Sequence, residues 1–238
     1  MRIDGRKNDA LRPVKLTLGF TKFAEGSCLI ECGNTVVLCN ASVEERVPKH
    51  VLSGGWITAE YSMLPRANRE RSSRDISRLK LAPRSAEIQR LVGRSLRSAA
   101  DLQQLGERTI TVDCDVLQGD GGTRTASVTG GFIALALACR KLLEQEKIET
   151  MPLRNFVSGI SAGIVDETPM LDLCYEEDSR AMVDLNCVMT DSGEIVELQG
   201  TGEGRPFTVA EQQTLVQLCQ KGNAELQQLQ KAYLGELA

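Results

Sequence analysis

The sequence predicts an α+β fold in which a mixed or antiparallel β-sheet carries helices on one face. Short segments that alternate between apolar and polar residues occur in both halves of the chain, and turn residues separate them. Two longer segments, one central and one C-terminal, have the composition of helices. Because the sequence contains no internal repeat and no low-complexity tract, residues 1–238 are predicted to form a single domain with a sizeable core.

The N-terminal third is predicted to be mostly β-structure. Residues 14–18, 27–32 and 35–42 alternate as half-buried strands do, and a Gly-Asn turn connects the last two into a hairpin. Residues 57–61 predict a further short extended segment. The arginine-rich stretch at residues 66–80 has no apolar periodicity, and we therefore expect it to be a mobile loop.

An amphipathic helix is predicted from Ser85, which would be its N-cap, with Glu87 in the first turn. Apolar residues share one face of this helix, and arginines gather on another face. The apolar set is Ile88, Leu91, Val92, Leu96 and Ala99, and the basic set is Arg90, Arg94 and Arg97.

A strand, a loop and a helix follow one another in the middle of the chain. Residues 109–117 alternate cleanly and predict a strand, and residues 118–122 form a glycine-rich loop. Residues 123–143 are small or apolar on all sides, so the predicted helix should be deeply packed.

The second half is predicted to contain four strands and a long final helix. The strands lie near residues 156–165, 170–175, 181–189 and 195–200. Thr208 is expected to be the N-cap of the final helix, with Glu211 completing a capping box, and the helix runs towards Lys231.

Composition restricts the class of protein. No apolar run approaches the roughly 20 residues that a membrane span needs, and the charged residues 1–7 lack the apolar stretch of a secretory signal. We therefore expect a cytoplasmic protein with no membrane partner. The eight cysteines include no Cys-x-x-Cys pair, which favours small buried side chains over zinc ligands or disulfides. The single histidine, His50, argues against a site built from several imidazoles and is predicted to lie on the surface.

Charge is distributed unevenly along the chain. The net charge is −4, but residues 66–97 contain ten basic and three acidic residues, which is +7 for this stretch and −11 for the rest. Such asymmetry is typical of a surface that binds a polyanion, and a merely solvated face is an equally good explanation of the charge alone.

The glycine-rich loop before the central helix is the sharpest candidate site. Glycines let the backbone approach an anion closely, and free N–H groups at a helix start attract negative charge. Arg124 adds a planar guanidinium suited to phosphate oxygens, and Thr123, Thr125 and Ser127 add hydroxyl donors. The same glycines could instead form a purely structural turn. The spacing matches neither the P-loop nor the dinucleotide-binding fingerprint, so ATP or NAD is not specifically indicated.

Paired carboxylates form a second candidate site. Asp178 and Asp184 flank the start of a predicted strand, and magnesium needs only a few carboxylates together with water and phosphate oxygens. Asp113 and Asp115 share one face of their strand and are an alternative pair. Either pair could simply be solvent-facing.

In combination, these motifs resemble the bacterial ribonuclease PH family. They are, in chain order, Leu64-Pro65-Arg66, Arg71 with Arg74, the run from Arg84 to Leu91, the run from Asp113 to Gln118, the run from Gly121 to Ser127, Asp178-Ser179 with Asp184, and Gln199-Gly200-Thr201. The motifs keep their order and the match extends from Arg2 to the last helix, so the resemblance covers essentially the whole chain.

The resemblance implies a ribonuclease PH-type β-α-β fold and a phosphorolytic exoribonuclease, or tRNA nucleotidyltransferase. Such an enzyme trims the 3′ end of precursor transfer RNA and releases nucleoside diphosphates, with other structured RNA such as ribosomal RNA as a further candidate substrate. It also implies inorganic phosphate as co-substrate, dependence on magnesium, and a homo-hexameric ring built as a trimer of dimers.

The resemblance also implies roles for individual residues. Arg84 and Gly122-Thr123-Arg124 would hold the attacking phosphate, with Thr125 and Ser127 as the further donors predicted above. Asp178 and Asp184 would hold magnesium or assist the leaving oxygen. The predicted RNA-binding set consists of Arg66, Arg71 and Arg74, which would grip transfer RNA, and the helix arginines Arg90, Arg94 and Arg97.

One stretch departs from the family pattern, and two other functions stay open. Between Arg74 and Arg84 the family usually has a glycine- and lysine-containing run, whereas this chain reads Asp-Ile-Ser-Arg-Leu-Lys-Leu-Ala-Pro. A catalytically silent ring subunit of exosome type would have the same fold, but it would lack the phosphate arginines or the aspartate pair that this chain keeps. A standalone RNA-binding module would show an aromatic stacking platform, and aromatic residues are only 4% of this chain.

Overall fold

The computed structural model describes residues 2–74 and 81–237, and these residues form nine strands and five helices. The strands are β1 (Val14–Leu18), β2 (Gly26–Cys32), β3 (Thr35–Glu44), β4 (Trp56–Met63), β5 (Thr109–Gln118), β6 (Val157–Val165), β7 (Thr168–Leu171), β8 (Val183–Thr190) and β9 (Ile195–Thr201). The helices are α1 (Pro83–Ser98), α2 (Leu102–Leu105), α3 (Thr123–Glu144), α4 (Tyr175–Asp178) and α5 (Val209–Leu234).

The strands divide between two sheets. The first has the order β1-β2-β3-β5-β4, and the second has the order β7-β6-β8-β9. All neighbouring strands are antiparallel except β4 and β5, which are parallel and are joined through α1 and α2. The predicted α+β class with a mixed sheet is therefore confirmed, while the division into two sheets is a feature that local patterns did not reveal.

Helix α1 begins earlier than predicted. Its N-cap is Ala82 and Pro83 occupies the first turn, so the prediction that Ser85 is the N-cap was wrong. Proline is favoured at this position because its fixed φ suits a helix and its missing N–H would have no partner in the first turn. Ser85 instead lies buried inside the helix. Residues 75–80 of the predicted loop lie outside the described part of the chain, so its predicted mobility stays a prediction.

The strand predicted at residues 170–175 is also different in the structure. Strand β7 ends at Leu171, and the backbone then turns at Asp172, which has a φ of +55°. The chain continues into the short helix α4, where the carboxylate of Glu177 accepts a hydrogen bond from the backbone N–H of Cys174. The other predicted strands and helices are present with ends that differ by a few residues, and α2 was not predicted.

Helix α3 lies between the two sheets and forms the centre of the core. On one side, an added Cβ at Gly130 would lie 2.6 Å from Cγ2 of Ile30 in β2. On the other side, an added Cβ at Gly159 of β6 would lie 3.3 Å from Cα of Thr125 in α3. Because both sides face packed strands, the small and apolar composition all round this helix is explained.

Helix α5 covers the opposite face of the second sheet. Alternate residues of β6 point to the two helices: Gly159 faces α3, whereas Ile160 packs against Gly222 of α5. The buried amide of Gln230 connects α5 to α3 and β6, since its Nε2 donates to the backbone oxygens of Thr129 and Val157. The first sheet, by contrast, has helices on one face only, and its other face is partly open to solvent.

Helix α3 is also long and apolar enough to cross a bilayer. It has 22 residues and a mean hydropathy of 1.4 over its most apolar 18-residue window, which contradicts the expectation that no run approaches this length. However, 78% of that window is buried inside the fold, as in the core helix of a globular domain.

The cysteine and histidine predictions agree with the structure. All eight cysteines are free thiols, and six of them are buried. His50 is exposed, and its ring contacts that of Trp56 edge-on at a centroid distance of 5.2 Å.

Three carboxylates lie together on the open face of the first sheet. Glu60 of β4 is in register with Asp113 of β5, and Asp115 follows on the same face. Burial, with Glu60 and Asp115 as further causes, raises the pKa of Asp113 to about 6, and burial also raises the pKa of Asp115. Asp113 and Asp115, the alternative metal pair, therefore face away from α3 and form no site with the glycine-rich loop.

The tight contact at Gly130 predicts a difference between two neighbouring glycine variants. Gly130→Ala should destabilise the fold relative to Gly131→Ala by about 1–3 kcal/mol, because its new Cβ meets Ile30 and Cys39 within the core. At Gly131 the nearest atom would be 3.4 Å away, an ordinary contact. Both variants gain the same helix propensity, so the difference in their unfolding free energies in urea isolates the clash. Equal stabilities would contradict this packing of α3.

The raised pKa of Asp113 predicts that its ionisation costs stability. A carboxyl whose pKa is higher in the folded than in the unfolded protein destabilises the fold as pH rises from about 4 through about 6. We expect Asp113→Asn to be more stable than the wild type at pH 7, by up to about 1 kcal/mol after allowance for solvent screening. The gain should shrink at pH 4. Urea unfolding at both pH values measures it, and a gain that is independent of pH would refute the explanation.

Candidate functional site

A cavity of about 320 Å³ lies where the starts of α1 and α3 meet α4 and the second sheet. It brings together six of the predicted site residues, which are distant in sequence: Arg84, Gly122, Thr123, Arg124, Asp178 and Asp184. Ser161, Asn186 and Glu203 line the same cavity and were not predicted from the sequence.

The start of α3 presents free backbone donors to this cavity. Gly121 and Gly122 both have positive φ, +77° and +66°, and Gly122 is the helix N-cap. An added Cβ at Gly121 would lie only 2.5 Å from the backbone oxygen of Leu173, so a side chain cannot fit there. Because no side chain caps the helix, its first N–H groups remain available to an anion.

Arg124 is held in place by polar side chains from two other elements. Its Nη1 donates to Oε1 of Gln199 in β9 and lies 3.5 Å from Oε1 of Glu87 in α1. Gln199 in turn donates from Nε2 to the same Glu87 oxygen at 2.8 Å. The guanidinium is therefore fixed through one nitrogen, and within the described residues its other two nitrogens have no hydrogen-bond partner. A guanidinium fixed in this way suits recognition of phosphate oxygens.

The three predicted hydroxyl donors have different surroundings. Thr123 lines the cavity, and its Oγ1 shares a hydrogen bond of 2.8 Å with the buried hydroxyl of Tyr61. Thr125 and Ser127 do not line it, since their hydroxyls donate to the backbone oxygens of Gly122 and Thr123 at 2.9 and 2.8 Å. The structure thus does not support Thr125 and Ser127 as phosphate donors: their hydroxyls bind backbone carbonyls of their own helix.

The aspartate pair lies beside this basic region. Oδ2 of Asp184 accepts a hydrogen bond of 3.0 Å from Nδ2 of Asn186, whereas its buried Oδ1 has no hydrogen-bond partner. Burial, and next the charge of Asp178, raises the pKa of Asp184 to about 6. Burial also raises the pKa of Asp178, and the charges of Arg84 and Arg124 oppose that increase.

An unpaired carboxylate oxygen next to a second carboxylate fits either a proton or a hard divalent cation. The described residues contain no cluster of three or more acidic, histidine or cysteine ligands. A cation bound by Asp178 and Asp184 would therefore need water or substrate oxygens to complete its coordination, which is the manner in which magnesium is commonly held.

Arginines from the N-terminal segment position α4 and the glycine loop, and no periodic pattern in the sequence indicates this role. The guanidinium of Arg2 binds both carboxylate oxygens of Glu177, at 2.8 and 2.5 Å, next to Asp178. Arg12 pairs with Asp172 at 2.7 Å and donates to the backbone oxygen of Asp120 at 2.6 Å. These buried pairs fix the segment that carries Asp178 against the loop that starts α3.

The predicted RNA-binding arginines fall into two groups. Most are exposed: Arg66, Arg71 and Arg74 follow β4, Arg90 lies on α1, and Arg94 pairs with Glu197 of β9 at 2.9 Å. A larger cavity of about 670 Å³ also lies next to the glycine loop, and Arg66 contributes to its wall.

Arg97 is different and does not fit the RNA-binding prediction. It donates to the backbone oxygen of Ile57 at 2.7 Å, and its guanidinium lies 4.3 Å from the ring centroid of Trp56. Burial lowers its pKa. Its guanidinium therefore binds β4 and stabilises the packing of α1 against that strand.

Two family models match the sequence of this chain. The ribonuclease PH model described as 3′ exoribonuclease family, domain 1, matches residues 10–141, and the model described as domain 2 of the same family matches residues 155–222.

Among solved structures, rice (Oryza sativa) Rrp46 is similar with a TM-score of 0.80 and 17% identity, covering 98% of this chain and 100% of that one. An archaeal exosome core gives 0.76 and 23%, with coverages of 97% and 91%. The Archaeoglobus fulgidus exosome with RNA bound to the active site gives 0.80 and 23%, with coverages of 96% and 92%. At these identities the structures establish a shared fold, whereas the family models match the sequence itself. The domain 1 model alone matches more than half of the chain, and the chain therefore belongs to the ribonuclease PH-type 3′ exoribonuclease family.

Proposed function

We propose that this protein is a phosphate-dependent 3′-to-5′ exoribonuclease that trims the 3′ end of precursor transfer RNA and releases nucleoside diphosphates. One observation carries the proposal: a single cavity joins two arginines and an uncapped helix start to a pair of partly buried aspartates. The first set suits an anionic nucleophile, and the second suits the proton or cation needed by a leaving oxygen.

The reaction would need no activated side chain as nucleophile. An oxygen of inorganic phosphate attacks the last internucleotide phosphorus, a new P–O bond forms, and the bond to the 3′ oxygen of the preceding nucleotide breaks. Arg84, Arg124 and the first N–H groups of α3 would hold the phosphate and offset the repulsion between two anions. The released 3′ oxygen takes up a proton from the medium, and Asp184 with a bound cation would stabilise the negative charge on that oxygen.

We further propose that Asp178 and Asp184 bind magnesium. The unpaired Oδ1 of Asp184 and the neighbouring carboxylate of Asp178 supply the oxygen ligands that this ion prefers. When bound, magnesium would neutralise negative charge on the phosphate groups and on the leaving oxygen.

The RNA and assembly proposals rest on the exposed basic surface and on the similar structures. Arg66, Arg71, Arg74, Arg90 and Arg94 could contact RNA phosphates, which would give binding that weakens as salt is raised. The similarity to an exosome core supports an assembly of several subunits, and we propose a cytoplasmic homo-hexamer built as a trimer of dimers, as the family resemblance implies. Gel filtration at two salt concentrations, compared with activity at each, tests this assembly.

A catalytically silent RNA-binding subunit is the second candidate, because similar structures include exosome cores. Precursor transfer RNA incubated with and without inorganic phosphate distinguishes the two. The proposed enzyme should release nucleoside diphosphates only when phosphate is added, whereas a silent subunit releases none. Release of monophosphates without added phosphate would refute phosphorolysis.

Removal of Arg124 should abolish phosphorolysis. Arg124→Ala loses the guanidinium fixed by Glu87 and Gln199, and we expect kcat/KM for diphosphate release to fall by about a hundredfold or more. Transfer RNA binding, measured by filter retention, should change little. Arg154→Ala, which removes a surface partner of Asp101 outside the cavity, is the matched control and should keep its activity. Normal diphosphate release by Arg124→Ala would overturn the site assignment.

The two candidate carboxylate pairs predict different results after chelation. Activity should disappear in EDTA and return as magnesium is added. Asp184→Asn should need far more magnesium and retain about a hundredth of the activity or less, because it loses a charged ligand. Asp113→Asn, on the open face of the first sheet, should titrate like the wild type. The reverse pattern would move the metal site to Asp113 and Asp115.

A further inference from the structure

Ser161 lines the cavity and has no role in the predicted site. It is in the middle of β6, the residue is only 4% exposed, and Arg124 and Asp184 line the same cavity. Its neighbour Ile160 points to α5, so the alternation of the strand directs Ser161 towards the side of α3.

The hydrogen bonds of Ser161 leave one donor unused. A serine hydroxyl has one proton to donate and two lone pairs that can accept. Its Oγ accepts from the backbone N–H of Leu173 at 3.3 Å, but no acceptor for its own proton lies among the described residues. Ser158 lies three residues earlier on the same strand and on its other face, and its hydroxyl has an acceptor: it donates to Oδ1 of Asn223 at 2.7 Å.

Backbone N–H groups of the segment after β7 bind Ser161. Asp172 donates its N–H to the backbone oxygen of Ser161 at 2.7 Å, and Leu173 donates to the side chain. Asp172 is itself paired with Arg12. Because the hydroxyl oxygen of Ser161 accepts the N–H of Leu173, its own proton can be donated only to a group in the cavity. A nearly buried donor without an acceptor is energetically unfavourable.

We propose that the hydroxyl of Ser161 donates a hydrogen bond to an oxygen of the inorganic phosphate held in this cavity. The inference rests on the proposed phosphorolytic function and adds a ligand from the second sheet to those from α1 and α3. The charges favour phosphate as the acceptor, since Arg84, Arg124 and the start of α3 all attract an anion to the same space.

The test compares Ser161→Ala with Ser158→Ala, which removes a buried hydroxyl from the same strand without touching the cavity. Steady-state release of diphosphates at saturating RNA gives KM for phosphate. We expect Ser161→Ala to raise this KM by about tenfold to a hundredfold, while KM for RNA changes by less than about twofold. Ser158→Ala should be less stable but should keep the phosphate KM of the wild type.

A second variant shows whether the effect depends on the hydroxyl proton, and a second measurement does not require the protein to be an enzyme. Ser161→Cys keeps the size and acceptor position but is a weak donor, and it should also raise KM for phosphate. Thermal unfolding with added inorganic phosphate and no RNA measures phosphate binding directly, and the stabilisation seen for the wild type should be smaller in both Ser161 variants.

The outcomes separate the two ideas. If the wild type releases no diphosphates, phosphorolysis fails, yet the unfolding experiment still tests Ser161. If the wild type is phosphorolytic and a folded Ser161 variant keeps the wild-type phosphate KM, the role of Ser161 is overturned. A fall in kcat with unchanged phosphate KM would likewise overturn it, because the effect would then come from the Leu173 segment.

Discussion

The buried pairing of N-terminal arginines with the segment after β7 is the constraint on which the site depends. Arg2 binds Glu177, and Arg12 binds both Asp172 and the backbone before Gly121. Loss of one partner in such a pair costs about 3–5 kcal/mol, because the other charge is left buried and uncompensated. The N-terminal segment, the glycine loop and α4 are therefore fixed relative to one another, and the spacing between Arg124 and Asp178 follows from this.

The cavity has a positively charged part and a negatively charged part. Arg84, Arg124 and the uncapped start of α3 make one part attractive to anions, while Asp178 and Asp184 make the other attractive to a proton or cation. Burial and the mutual repulsion of the two carboxylates raise the pKa of Asp184, and the charge of Glu203 adds to that increase. An anionic nucleophile and a leaving oxygen require these two environments side by side, and the proposed phosphorolysis would use both.

Helix α3 connects the site to the core. Its first turn presents backbone N–H groups to the cavity, and its remaining length is packed against β2 on one side and β6 on the other. Since the glycines at both contacts leave no room for a Cβ without a shift of neighbours, the helix start cannot move independently of the sheets. Positioning of this kind suits a reaction in which alignment and electrostatics, rather than an activated nucleophile, lower the barrier.

The sequence alone determined the local features of this protein. Alternation located most of the strands, Thr208 and Glu211 marked the start of α5, and the glycines before Thr123 marked a helix start without a side-chain cap. Such signals are readable because each depends on residues a few positions apart.

Only the tertiary structure decided which polar groups face the cavity. The division into two sheets and the contact of Arg97 with Trp56 depend on partners that local periodicity does not report. Arg12 and Ser161 were missed for the same reason, since their partners Asp172 and Leu173 come from elsewhere in the chain. A polar side chain has the same local pattern whether it binds a carbonyl, a carboxylate or a ligand, and its distant neighbours decide among them.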